Sequence, residues 1–73
     1  MDTPLTRLAE VIKADLAAAE ISENSASKRT GIPRTTLRSR LATGDFSYGQ
    51  MWQLAGLLDT TPAQIAERAE RAS

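Results

Sequence analysis

The chain has 73 residues, of which 41% are hydrophobic and 25% are charged, a composition typical of one small globular domain. It contains no cysteine and no histidine, which excludes disulfides, thiolate metal sites and the usual proton shuttle of catalysis near neutral pH. Its basic and acidic side chains balance to a formal net charge of +0. We therefore expect a single domain over residues 1–73 that binds no cofactor, metal or small-molecule ligand.

The first predicted helix covers about residues 4–19, because large apolar side chains recur there every three or four positions. Asp2 or Thr3 can cap its N-terminus, and Pro4 can occupy its first position, where the missing N–H costs nothing. The opposite face is polar, which predicts an amphipathic surface helix. The side chains of the apolar face are Leu5, Leu8, Ile12 and Leu16, with Ala9 and Ala19 beside them.

Two short helices are predicted next. One covers about residues 23–30, between the N-cap Ser22 and Gly31, which ends it. The other covers about residues 33–42 and stops at Gly44, with a proline as its first residue. A tight turn containing glycine between two short helices is typical of a helix-turn-helix. The core side chains of the second of these helices are Leu37 and Leu41.

Two capping boxes predict the last two helices, over about residues 48–58 and 62–70. No segment alternates apolar and polar residues with period two, so no strand is predicted. The predicted fold class is all-α, a compact domain of five helices. The boxes pair Ser47 with Gln50 and Thr61 with Gln64. The predicted core includes Leu8, Ile12, Leu37, Leu41, Leu54 and Leu58, and Ile65, Ala66 and Ala69 are available to it from the last helix.

The charge is unevenly distributed along the chain. Residues 1–27 carry a formal charge of −3, residues 28–44 carry +5 with no acid, and residues 45–73 carry −2. An overall neutral protein therefore has a basic centre, which is either a solvated helix face or a surface for a polyanion. The basic side chains of the centre are Lys28, Arg29, Arg34, Arg38 and Arg40.

The helical positions of the third helix favour a polyanion. At about 100° per residue, small side chains fall opposite the buried leucines, with arginines alongside and at the N-terminal end. Small side chains allow close approach to the major groove of DNA, and arginine can bind O6 and N7 of guanine with two hydrogen bonds. The small residues are Thr35, Ser39 and Ala42, and the arginines are Arg38 and Arg34.

The segment "SASKRTGIPRTTLRSRL" resembles the helix-turn-helix of the Xre family, the lambda-repressor-like and Cro-like DNA-binding domains of bacteria and phages. The resemblance continues through Phe46, Met51, Leu54 and "TTPAQI", so it covers nearly the whole chain. It implies a five-helix lambda-repressor-like domain whose helices 2 and 3 form the helix-turn-helix. It also implies a small transcriptional regulator that binds a double-stranded DNA operator in the bacterial or phage-infected cytoplasm, associated with the nucleoid.

The resemblance also implies roles for individual residues. Glu23 departs from the family pattern, because many relatives have a phosphate-binding glutamine there and a carboxylate would be repelled; Ser27 and Arg40 also depart from it. Relatives pair two domains on a palindrome, so we expect a weak homodimer completed on DNA, with Leu57 to Ala69 as the candidate interface. The implied base readers are Arg34, Thr35, Arg38 and Ser39. The implied phosphate contacts are Asn24, Lys28, Arg29, Arg40, Thr43, Ser47 and Tyr48.

Other functions have weaker support. Asp45 and Asp59 are isolated loop carboxylates, and Ser47 has no base to activate it, so we do not expect an enzyme. Tyr48 and Trp52 could stack on a single strand, but a tryptophan partly buried between helices is the preferred interpretation. The main alternative function is a protein-interaction module or an antitoxin-type component. No apolar run approaches the about 20 residues of a membrane span, and the N-terminus has no secretory apolar stretch, so a soluble cytoplasmic protein is expected.

Overall fold

The computed structural model describes residues 4–71, and all the regular secondary structure within that range is helical, as predicted. The caps predicted at Asp2 and Thr3 lie outside the described residues. The Cα atoms have a radius of gyration of 11.0 Å and extents of 30 × 23 × 22 Å, which describes a compact all-helical globule. The five helices are α1 (Pro4–Ala18), α2 (Glu23–Thr30), α3 (Arg34–Thr43), α4 (Tyr48–Leu57) and α5 (Pro62–Arg71). None of these helices is long and apolar enough to cross a membrane.

One apolar core joins the helices. Helix α1 packs on α3 and α5, α2 packs on α3 and α4, and α4 also packs on α5. The largest fully buried side chains are Ile12, Leu37, Leu54 and Ile65, from four of the five helices. Ala26 supplies the buried contact of α2.

The predicted core residues are buried at the centre of the domain and only partly covered at its edge. Ile12, Leu37, Leu41, Leu54, Ile65 and Ala69 are buried, Leu8 and Leu58 are half-buried and pack against the core, and Ala66 is exposed. Leu5 was predicted on the apolar face of α1, but 48% of its surface is exposed. It lies in the first turn of α1, where it lines a surface cleft beside α5 instead of reaching the core.

Helix α3 begins one residue later than predicted. Pro33 has extended backbone angles, φ −54° and ψ 141°, so it is the N-cap residue and not the first helical residue. Its carbonyl oxygen accepts the first intrahelical hydrogen bond, from the N–H of Leu37 at 2.8 Å. A proline N-cap has no side-chain acceptor, so α3 starts without the capping bond that serines give α2 and α4.

The predicted capping box of α4 is present in full. The Ser47 hydroxyl accepts from the N–H of Gln50 at 3.1 Å, and the Gln50 side chain accepts from the N–H of Ser47 at 3.0 Å. At α5 the Thr61 hydroxyl accepts from the N–H of Gln64 at 3.2 Å. The side-chain oxygen of Gln64, however, accepts from the Thr60 hydroxyl at 2.6 Å, so the second box differs from the prediction.

The ends of α1 and α4 share a backbone motif. Glu20 and Asp59 both have φ of 57°, in the left-handed region that few residues other than glycine adopt. The next residue in each case donates its N–H back into the helix, Ile21 to the carbonyl of Leu16 at 2.9 Å and Thr60 to that of Ala55 at 2.8 Å. This is the hydrogen-bond pattern of a Schellman motif with an acidic residue in place of the usual glycine.

An ion pair joins the first and last helices. Arg68 of α5 donates from Nη1 to Oδ1 of Asp15 in α1 at 2.9 Å, and from Nη2 to Oδ2 of the same carboxylate. The hydrogen bond to Asp15 raises the pKa of the Arg68 guanidinium. The two-bond geometry fixes the orientation of α5 against α1 more strongly than a single contact would.

Candidate nucleic-acid interface

The turn between α2 and α3 is built from backbone geometry and two side-chain hydroxyls. Gly31 has φ of 80° and donates its N–H to the carbonyl of Ser27 at 2.9 Å. The buried Thr30 hydroxyl donates to the carbonyl of Ala26 at 2.7 Å and accepts from the N–H of Ile32 at 3.3 Å. The Ser27 hydroxyl donates to the carbonyl of Ile32 at 2.6 Å. These bonds pair the N–H groups of Gly31 and Ile32 and the carbonyl of Ile32, and they hold α3 in a set position relative to α2.

The face of α3 that points away from the core carries the four predicted base readers. Arg34, Thr35, Arg38 and Ser39 are all exposed, whereas Leu37 and Leu41 are buried on the other side. Three of the four side chains, those of Arg34, Thr35 and Arg38, line one shallow surface hollow. The structure therefore brings two guanidinium groups and a small hydroxyl residue together on one exposed surface.

Arg38 has a partner that the sequence did not predict. Its Nε lies 3.2 Å from Oε1 of Glu23, the first residue of α2, and donates a hydrogen bond to it. The side chains of Arg38 and Glu23 are 66% and 40% exposed. Glu23 was identified only as a departure from the family pattern, because nothing in the sequence relates positions 15 residues apart on opposite sides of a turn.

Three of the predicted phosphate contacts lie on α2. Asn24, Lys28 and Arg29 are all exposed, and the two basic residues lie in the last turn of the helix. Positive charge there is favourable for the helix itself, because its C-terminal carbonyls carry partial negative charge. A polyanion and the helix terminus therefore both favour cations at these positions.

The two predicted phosphate contacts at the end of α3, Arg40 and Thr43, have local partners. Nη1 of Arg40 lies 3.7 Å from Oδ2 of Asp45, and the Arg40 side chain is 41% exposed. The Thr43 hydroxyl donates to the carbonyl of Ser39 at 3.3 Å and accepts from the N–H of Asp45 at 3.2 Å. The Thr43 hydroxyl would therefore have to give up its bond to Ser39 to donate to a phosphate, whereas a phosphate would compete with the Asp45 carboxylate for the charge of Arg40.

The predicted contacts at the start of α4 face different surroundings. The Ser47 hydroxyl is the cap of α4, whereas Tyr48 is 73% exposed and its ring meets that of Trp52 edge-to-face at 6.1 Å between centroids. Trp52 is 48% exposed, so it is partly buried, as expected, although about half of its surface remains accessible. Both rings line an apolar groove with Leu8 of α1 and Ala66 of α5. No family model, curated protein or solved structure matches this chain.

Proposed function

We propose that this protein binds double-stranded DNA at a specific sequence, as a small transcriptional regulator of the lambda-repressor-like type, with α2 and α3 as its helix-turn-helix. The observation that carries the proposal is the exposed face of α3, where Arg34, Thr35, Arg38 and Ser39 lie opposite the buried Leu37.

The exposed face of α3 fits the chemistry of a major groove. The groove is about 12 Å wide and admits one α-helix, provided that the side chains facing its floor are short. Thr35 and Ser39 are short and can donate or accept, and Arg34 and Arg38 can each reach a guanine with two donors. No acidic residue occurs between positions 28 and 44, so nothing within α3 repels the phosphates.

Helix α2 would then contact the sugar–phosphate backbone. Asn24, Lys28 and Arg29 are exposed on it and offer one amide and two cationic donors. Such contacts position a protein on the duplex but carry no sequence information themselves. The two helices would therefore have different roles: α2 would supply affinity for any duplex, and α3 would supply selectivity among sequences.

The test starts with selection of bound sites from a random duplex pool, followed by affinity measurements on the selected site. Arg34→Ala should lose about 1–3 kcal/mol of binding free energy and relax the preference at one base pair. Lys28→Ala is the matched cationic control, and it should weaken binding to every sequence alike while reducing the salt slope by about one. Equal losses on all sequences for both variants would contradict the proposed base reader, and recovery of no preferred site would contradict the function.

The proposal includes a weak homodimer that is completed on DNA. One recognition helix reads only a few base pairs, and two domains on a palindrome double that information. The candidate surface lies partly within the predicted range Leu57 to Ala69, where Pro62, Ala63 and Ala66 of α5 line the groove beside Trp52. Sedimentation should find a monomer at micromolar concentration, and titration should find cooperative two-to-one binding to half-sites about one helical turn apart. Saturation at a single asymmetric half-site would rule this arrangement out.

A protein-interaction module or antitoxin-type component remains the second candidate, and one observation favours it. The apolar groove of α1, α4 and α5 leaves Trp52 and Tyr48 exposed, and an exposed apolar patch is typical of a protein-binding surface. Salt separates the two functions, because contacts to several phosphates make affinity fall steeply with salt concentration. A shallow salt dependence of duplex binding would favour the protein partner.

A further inference from the structure

We propose that Glu23 is a positioning residue for Arg38 and thereby sets the selectivity of this protein at one base pair. The inference rests on the proposed DNA binding and adds a specificity-determining role for a residue that would otherwise only repel phosphate. It starts from the 3.2 Å hydrogen bond between Arg38 Nε and Glu23 Oε1.

The atom that Glu23 binds decides how Arg38 can meet a base. A guanidinium has five N–H donors, one on Nε and two on each Nη atom. A base can be bound side-on, through Nε and one Nη, or end-on, through the two Nη atoms. Because Nε–H of Arg38 points to the Glu23 carboxylate, the side-on edge is occupied and the end-on edge remains. Glu23 therefore selects one of two recognition geometries.

The backbone that carries Glu23 is itself held in place. Glu23 is the first residue of α2, directly after the cap Ser22, whose hydroxyl accepts from the N–H of Ser25 at 3.1 Å. A negative charge in the first turn is favourable because the N-terminal N–H groups carry partial positive charge. The hydroxyl bonds of Ser27 and Thr30 across the turn then hold α2 and α3 together. The Glu23–Arg38 contact thus joins two elements whose relative position is already set.

The ion pair between Glu23 and Arg38 contributes little to the free energy of unfolding, so it needs another explanation. Both side chains are more than one-third exposed, and ion pairs of that kind add little to stability. A long arginine side chain, in contrast, loses rotamer freedom when it binds a base, and a guanidinium that is already oriented loses less. The ordering cost of one such side chain corresponds to about a 2- to 12-fold change in affinity. That range is the expected contribution of Glu23 to discrimination at the Arg38 base pair.

The experiment compares two variants that remove the same charge. Glu23→Ala removes the carboxylate and the acceptor, whereas Glu23→Gln removes the charge but keeps an acceptor oxygen for Nε. Discrimination is the ratio of the affinities for the selected site and for that site with the Arg38 base pair exchanged. The base pair is identified as the one at which Arg38→Ala loses its preference. Asp45→Asn, which removes a carboxylate from beside Arg40, is the control for charge alone.

Both Glu23 variants should bind duplexes of any sequence more tightly, because a repulsion from phosphate is lost. Discrimination should fall about 2- to 12-fold in Glu23→Ala. It should be largely retained in Glu23→Gln and unchanged in Asp45→Asn. In an Arg38→Ala background, Glu23→Ala should leave the ratio unaltered. Thermal unfolding followed by circular dichroism should show all these variants folded.

Different results would contradict DNA binding and the positioning role of Glu23. Failure of the unmodified protein to prefer any duplex would overturn the proposed function. A protein that does select a site, but whose discrimination is the same in Glu23→Ala, would overturn only the positioning role. Equal losses of discrimination in Glu23→Ala and Glu23→Gln would assign the effect to charge and would also overturn it.

Discussion

Gly44→Ala is expected to destabilise the domain by about 2–5 kcal/mol, although it adds a single methyl group to a loop. Gly44 is buried at the C-terminus of α3, with φ of 80°. The left-handed conformation costs an alanine about 1–2 kcal/mol. In addition, the new Cβ would overlap the backbone carbonyl of Leu5, so α1 would have to move away from α3. Overpacking of that kind typically costs about 1–3 kcal/mol.

Gly31 provides a matched control for this prediction. It has the same φ of 80° at the end of α2, but a Cβ built there meets no atom within 4 Å. Gly31→Ala should therefore lose only the conformational part, about 1–2 kcal/mol. Urea unfolding followed by circular dichroism measures both variants against the unmodified protein. Equal losses at the two glycines would show that the carbonyl of Leu5 moves aside without cost.

Leu37→Ala is expected to cost about 2–5 kcal/mol, because the side chain is fully buried and its removal leaves a cavity between α3 and the rest of the core. Domains have about 0.05–0.15 kcal/mol of stability per residue, which for this chain is about 4–11 kcal/mol in total. The substitution therefore removes a large share of the stability. Denaturant unfolding at 25 °C should give a much lower midpoint or a chain that is already unfolded.

Leu58→Ala is the matched control for Leu37→Ala. Both leucines were predicted in the core, but Leu58 is half-buried, so the same atoms are removed from a site that water already reaches in part. Its loss should be clearly smaller. Similar losses for Leu37 and Leu58 would contradict the burial that distinguishes the two positions.

The helices could be predicted because strong local signals mark them. Spacing of apolar residues located α1, serine caps located α2 and α4, and glycines ended α2 and α3. The C-terminal ends of α1 and α4 are harder to predict from the sequence. Each is followed by a residue in the left-handed conformation, Glu20 or Asp59, and an acidic residue does not indicate that conformation as a glycine does. The start of α3 was misplaced by one residue, since proline is favoured at the first helical position and gives no sign that it will serve as the cap.

The part of the candidate site that follows from local sequence signals could also be predicted. Helical periodicity alone predicts that Thr35 and Ser39 lie opposite Leu37 and Leu41. The contact of Arg38 with Glu23, in contrast, depends on how α2 and α3 cross, which is set by tertiary packing and by hydroxyl bonds in the turn. The exposure of Trp52 likewise depends on the crossing of α1, α4 and α5 and has no local signal.

The packing of the last helix on the first closes a long loop of the chain. Asp15 and Arg68 are 53 residues apart in sequence, whereas α2 and α3 are joined by a three-residue turn. Closing a long loop has a larger entropic cost than closing a short one, and contacts distant in sequence slow folding. We therefore expect the segment from α2 to α3 to form earlier than the contact between α5 and α1. Substitutions in the contact between α1 and α5 should consequently act mainly on the unfolding rate, and so on the lifetime of the native state.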